Sequence, residues 1–396
     1  MLRTDALDYD LPPERIATHA AEPRDAARLM VIRRDAPDRP EHAHIRDLPA
    51  LLAPGDRLVV NTTQVLPARF RGTREDTGGK VEGLYLQDAP QPDPSAMHWL
   101  AMLKSRRHAR GAPIRLHGPD GPSPYTLRML EPQPDPPGAW TVEVRADRDD
   151  LPLDAPSVLN AVGLTPLPPY ILSARRAAGD TGDDADDRRR YQTVYAGQGD
   201  RPTPAASVAA PTARLHFTPG LLDALSAQGI ARTDVQLHVG AGTFKSVETE
   251  HVEDHPIHAE WCSMSPTAVG EIRQTRAAGH RIVAVGTTSV RTIESYAAAL
   301  TQPMQPVPDQ PVPDHLSTRL LLTPGRTLHW TDALLTNFHL PRSTLMALVG
   351  AMLQSPDESP APDGTPVGVV RLKAAYREAI SRGYRFYSFG DAMLVL

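Results

Sequence analysis

The chain has 396 residues, 40% of them apolar and 22% charged, an ordinary balance for a globular protein and a length that allows two domains. A formal net charge of −5 argues against unselective binding to nucleic acid, which depends on neutralising phosphates, and the single cysteine, Cys262, excludes an internal disulfide and a thiolate zinc site. No apolar run reaches the ~18 residues of a membrane span, and Arg3, Asp5, Asp8 and Asp10 stand where a leader would be apolar, so a cytoplasmic protein with no membrane partner is expected.

In chain order, the first clear strand is "RLVV" (57–60) within "DRLVVNTTQVLPARF". Residues 69–150 then carry short, often alternating segments, "KVEGLYL", "HWLAML", "PIRLHG", "YTLRML" and "TVEVRA", separated by Gly, Pro and Asp, the pattern of a small antiparallel β-barrel. The reading is an α/β catalytic body with a mixed sheet, discontinuous over 1–68 and 151–396, carrying an inserted barrel domain at 69–150. Within the barrel, "KSRRHARG" (104–111) offers Arg106, Arg107 and Arg110 to a polyanion without nearby acids. The proline-rich stretches "QDAPQPDPSA", "EPQPDPPGAW" and "TQPMQPVPDQPVPD" read as solvated, extended connections.

After the barrel, "DDADDRRRYQTVY" sets Arg190 beside Tyr191, a combination that can grip phosphate and stack on a base; the same loop holds enough aspartate to neutralise itself. From residue 214 onward helices and strands alternate. Thr218, Pro219 and Gly229, then Ser265, Pro266 and Gly279, bracket two helices with N-cap, first-turn and C-terminal signals. In "DVQLHVG", Val235, Leu237 and Val239 face a core and His238 the opposite side, while Gly240 and Gly242 let a backbone approach a ligand. In "HVEDHPIHAE", His251, His255, His258 and Glu260 suggest a metal set only if helical; Pro256 opposes that helix, and an extended segment puts His258 and Glu260 on one face for proton transfer.

"RIVAV" (281–285) is a strand buried on both faces, and "GTTS" leads into a helix whose start, Thr287, Thr288 and Ser289, suits an anion or merely caps. Arg291 and Glu294 can pair with each other one turn in. "LLTNFHLPRSTL" puts Asn337 and His339 before an apolar helix, as site residues or caps. The C-terminal "YRFYSFGDAML" alternates Tyr384, Phe386 and Ser388 with Arg385, Tyr387 and Phe389 as a core strand would, then turns at Gly390 and Asp391.

Together with "YDLPPERIA", "TGGKVEGLYL", "LPPYI", "SVAAPTARLHFT" and "LHVGAGTF", these blocks make a sequence that resembles, almost end to end, the S-adenosylmethionine:tRNA ribosyltransferase-isomerases of queuosine biosynthesis. It departs from the family pattern at Thr62, where an asparagine is usual, and at Ala206 and Arg214, where glycines are. The resemblance implies an α/β body with an inserted barrel and S-adenosyl-L-methionine as co-substrate without a metal. It also implies transfer and isomerisation of the ribosyl part onto the 7-aminomethyl group of 7-aminomethyl-7-deazaguanine (preQ1) at the tRNA wobble position, giving epoxyqueuosine-tRNA, adenine and methionine. The residues it implies for chemistry are His238, His258, Glu260, His339 and Asp391. For the co-substrate they are Gly240, Gly242, Thr243, Thr287, Thr288, Ser289, Arg291 and Asn337. For tRNA they are Asn61, Arg69, Arg106, Arg107, Arg110, Arg190, Tyr191, His216 and Arg385, in a monomer. Another S-adenosylmethionine-dependent tRNA-modifying transferase or a non-catalytic tRNA-binding homologue are the rival readings.

Overall fold

Runs of valine, isoleucine and leucine make strands that must be covered on both sides, and four of them form the middle of the body. In the computed structural model, which describes residues 1–90, 96–105, 110–136, 138–195, 206–238, 247–300 and 312–396, Ala231–Leu237, Arg57–Asn61, Ile282–Val285 and Ala333–Asn337 lie side by side and parallel. Ala392–Val395 follows antiparallel, then Arg28–Ile32 and Glu41–His44. At the other edge Glu260–Ser263 and Leu316–Thr318 add two antiparallel strands, so that nine strands among the described residues form one mixed sheet.

Side chains of the central strands alternate between two cores with the two-residue period of a strand. Val59, Ile282, Ala284, Leu334 and Met393 enter one core, roofed by the helices Pro266–Ala277, Thr287–Leu300, Thr344–Met352 and Val367–Ser381; Cys262 is buried there too. Leu58, Val60, Val283, Val285 and Leu394 enter the other, where Leu221 and Leu225 of the helix Pro219–Ala227 meet them. The helix boundaries follow the punctuation in the sequence. Thr218 and Ser265 accept from the Leu221 and Ala268 amides at 3.2 and 3.1 Å, and Gly229 and Gly279 take left-handed φ values of 75° and 78°. No helix among the described residues is long and apolar enough to cross a membrane.

One expected element is absent. Residues 384–389 do not form a strand: Phe386 makes a single bridge to Ile16, and Tyr387 sits at φ 72°, where a strand cannot continue. The alternation there reflects an aromatic cluster, with the Phe386 ring 4.7 Å from Phe338 and 5.6 Å from Tyr376, centroid to centroid. The C-terminal strand is instead Ala392–Val395, buried throughout.

The barrel is built from Arg69–Arg74, Lys80–Asp88, Met97–Ser105, Pro113–Gly118, Gly121–Gln133 and Ala139–Ala146, all antiparallel, and the pairing of the first with Pro113–Gly118 closes it. Phe70, Trp99, Leu116, Leu127 and Val142 fill its interior. Gly83 is required beneath the Phe70 ring, because a β-carbon there would collide with it. The helix Ala155–Val162 packs onto the barrel through Val158, Leu159 and Val162, and the chain then pairs Gly163 and Leu164 with Phe70 and Arg69, so that exit lies beside entry.

The Arg291–Glu294 pair weighed from sequence does not form, because Glu294 serves the backbone. Its buried carboxylate accepts from the amides of His329, Trp330 and Thr331 at 2.7, 3.0 and 2.8 Å and from the Thr331 hydroxyl at 2.8 Å. That stitches the Thr287–Leu300 helix to the segment leading into Ala333–Asn337. Glu294→Ala leaves three amides without an acceptor and is expected to cost about 3–5 kcal/mol, read as a lower denaturant midpoint with the same dependence on denaturant.

Candidate active site

In open α/β sheets ligands bind beyond the carboxyl ends of the parallel strands. Here those ends bring Asn61, His238, Gly286 to Thr288 and Asn337 to His339 to one edge of the sheet. Between this side of the body and the barrel lies a cleft of about 310 Å³. Its body walls include Thr287, Thr288 and Arg291, then His255, His258 and Glu260, then Arg319 to Leu322; the barrel contributes Leu86, Gln87, Leu100, Asp135 and Pro136. A second lobe of about 60 Å³ shares Thr287, Thr288 and Leu345 with the first and reaches Tyr170, Thr212, Asn337, His339 and Tyr387.

The turn that presents Thr287 and Thr288 requires Gly286, whose φ is 86°. The helix start then splits its hydroxyls between two jobs. Ser289 is fully buried and donates to the Val285 carbonyl at 2.9 Å, so it does not face the cleft. Thr288 Oγ1 is buried with no hydrogen-bond partner among the described residues. One turn later, Arg291 ion-pairs with Glu260 through Nη1 and donates from Nε to the Leu320 carbonyl at 3.2 Å, leaving Nη2 without a partner among the described residues. Burial pushes its guanidinium down to about 10. Two unsatisfied donors on one helical face, at the positive end of a helix, favour an anionic oxygen.

The histidine segment is extended, with only a short 3-10 turn at Val252–Asp254. Its polar groups diverge: His251 lies 3.6 Å from Asp254, Glu260 meets Arg291, and His258 Nδ1 lies 2.8 Å from the Asp135 carboxylate of the barrel. His258 and Glu260 both line the cleft, but Glu260 does not orient the imidazole, because the buried guanidinium claims its carboxylate. Asp135 takes that position.

The sequence profile described as "Queuosine biosynthesis protein" matches residues 4–395. The chain belongs to this family. An S-adenosylmethionine:tRNA ribosyltransferase-isomerase from Synechococcus elongatus is 41% identical over 99% of this chain and 95% of that protein. One of the same name from Azorhizobium caulinodans is 41% identical over 100% and 99%. The crystal structure of an S-adenosylmethionine tRNA ribosyltransferase from Thermotoga maritima is 30% identical, covering 99% of this chain and 100% of that one, with a TM-score of 0.49.

Several residues that the resemblance to this family singled out hold the frame. Asn61 pairs its amide with the Leu237 carbonyl at 3.0 Å and its oxygen with the Leu237 amide at 3.2 Å, locking two strand ends together. Asp391, 2% exposed, accepts from the Arg28 and Arg385 amides at 3.1 and 2.8 Å and pairs with both guanidinium groups, which saturates it. Asn337 accepts from Thr212 at 2.9 Å and reaches His216 and the Tyr387 carbonyl at 3.2 Å. Tyr191 is 1% exposed and packs edge-on against Phe389, so it cannot stack on a base. Arg190 is held by Asp186 and Glu22, and Arg385 also donates to the His19 carbonyl at 3.2 Å. Arg69 is half-buried on the first barrel strand, its Nε without a partner among the described residues. His238 is exposed at its strand end and its amide bonds the Trp261 carbonyl at 2.8 Å. Arg110 is exposed, while Gly240, Gly242, Thr243, Arg106 and Arg107 lie outside the described residues.

Asp135 and Arg319 were missed from sequence. Asp135 sits inside a stretch whose composition reads as solvated linker, and neither residue has a local spacing that marks it.

Burial pushes His216 down to about 4 and His339 down to about 3, so both are neutral above pH 5 and serve as hydrogen-bonding groups, His339 toward Thr336 at 2.9 Å. The unfolded chain protonates these imidazoles near pH 6.5 and the folded chain does not, so their stabilisation is complete above pH 6.5 and is lost as pH falls toward 4 and 3. Unfolding at pH 5 is expected to take up close to two extra protons, and His339→Asn to remove about one of them, measured from the pH dependence of the denaturant midpoint.

Proposed function

We propose that this cleft transfers and isomerises the ribosyl moiety of S-adenosylmethionine onto the 7-aminomethyl group of preQ1 at the tRNA wobble position, releasing adenine and methionine and leaving epoxyqueuosine-tRNA. Family membership supports the reaction. The observation that carries the residue assignment is the pair of unsatisfied donors, Thr288 Oγ1 and Arg291 Nη2, in the same cleft as His258 and Glu260. They suit the methionine carboxylate, the one anionic group of the co-substrate, at the start of a helix.

The sulfonium of the co-substrate acidifies the adjoining C5′ protons and is itself a leaving group, so the reaction asks for a positioned base and few other groups. His258 fits that role. With its Nδ1–H donated to Asp135, Nε2 carries the lone pair that accepts a proton. Glu260, fixed by Arg291, places negative charge beside the cationic sulfur. The attacking amine must be neutral, and the same imidazole can take the proton it sheds once the first proton has passed to the departing adenine, which needs one. In this reading the barrel, residues 69–150, brings Asp135 to the cleft and Arg110 to the tRNA.

His258→Ala is expected to lower turnover about 10²–10⁴-fold with S-adenosylmethionine affinity unchanged. The measurement follows adenine and methionine released from labelled co-substrate and preQ1-containing tRNA; S-adenosylhomocysteine as the product, or full turnover by the variant, removes the assignment. Replacing Arg106, Arg107 and Arg110 with Ala is expected to weaken tRNA binding and reduce the slope of log affinity against log salt by up to about three, without affecting the co-substrate.

A further inference from the structure

Trp261 is the one exposed large aromatic side chain among the described residues, 55% accessible although it lies within a strand. Its neighbours Glu260 and Cys262 point to the opposite, buried face of the sheet, as strand alternation requires. On the open face His315 stacks against the indole, ring centroids 4.2 Å apart and planes 23° from parallel, covering one side of it. Ser317 lies directly across from Trp261 in the register, and Ser317, Arg319 and His238 are exposed around the pair. An aromatic on an uncovered sheet face, ringed by hydroxyl, imidazole and guanidinium groups, is the chemistry by which proteins take up splayed bases of single-stranded RNA.

The position names the base. Glu260, one residue before Trp261, and Arg319, two residues after Ser317, both line the cleft. Glu260 and Trp261 point to opposite faces, and Arg319 follows Leu316–Thr318, the outermost strand, so an RNA chain leaving the cleft past Arg319 rounds this edge of the sheet to the face that carries Trp261. Arg319 has no ion-pair or hydrogen-bond partner among the described residues and stands where the intervening phosphate would pass.

We infer that Trp261 and His315 form a stacking platform for an unpaired nucleobase adjoining the nucleotide modified in the cleft, with Arg319 on the phosphate between them. This rests on the reading that tRNA is the substrate, and it assigns the place where the anticodon loop is gripped.

The test uses the full chain and an anticodon stem-loop RNA carrying preQ1, with either an intact loop or abasic sites flanking the wobble position. Adenine release by the unaltered protein with the intact RNA is read first, and its absence sinks the proposed reaction independently of the platform. RNA affinity is then measured by tryptophan fluorescence quenching and by an independent mobility assay. Trp261→Ala is expected to weaken binding about 5- to 100-fold, with co-substrate affinity and unfolding temperature unchanged, Trp261→Phe recovering most of the loss, and His315→Ala losing part of it. On the abasic RNA, Trp261→Ala is expected to cost nothing further, since the two changes remove one contact. Unaltered affinity in Trp261→Ala, losses that add on the abasic RNA, or a Trp261-dependent self-association of the protein in place of RNA binding would each overturn the platform.

Discussion

One guanidinium holds the cleft together. Burial pushes the Arg291 guanidinium down to about 10, and it ion-pairs with the carboxylate of Glu260. Through Nε it also donates to the Leu320 carbonyl, so three walls, the helix Thr287–Leu300, the strand Glu260–Ser263 and the 319–322 segment, meet on one side chain. A buried cation of this kind is tolerated only when its partners are fixed. Its Nη2 has no hydrogen-bond partner among the described residues, and the proposed anion site rests on that incomplete pairing more than on any surface charge.

The parts of this arrangement that sequence revealed are those decided within a few residues. The strand at 282–285, the capped helices after Thr218 and Ser265, and the barrel's alternating segments depend on local spacing and turn chemistry, and they stand where the pattern puts them. What sequence could not reveal is which partner a polar group chooses across the fold. Glu260 chose Arg291 over His258, Glu294 chose three amides over Arg291, and His258 chose a carboxylate from a proline-rich barrel turn. The segment at 384–389 was misread for a related reason: its alternation comes from aromatic packing, which mimics a strand's period without its hydrogen bonds.

Asn61, Asp391, Asn337 and His216 show that motif residues also build the frame around the site. Each is buried and joined to backbone or to another buried side chain, Asn61, Asn337 and Asp391 at strand ends and His216 in the turn Thr212–His216, so together they hold the edge on which the site stands. The neutral His339 joins the same framework through Thr336 and also borders the second lobe. The side chains that meet the cleft come from the start of the helix Thr287–Leu300, from the extended 255–260 segment and from a barrel turn, whose placement this framework sets.

The barrel leaves the body at Arg69 and returns at Leu164, and those two residues face one another in the ladder. An inserted module whose ends meet demands no fixed length from the chain between them. Hairpins of the barrel other than the one carrying Asp135 can therefore lengthen, shorten or change composition while the body's sheet stays in register.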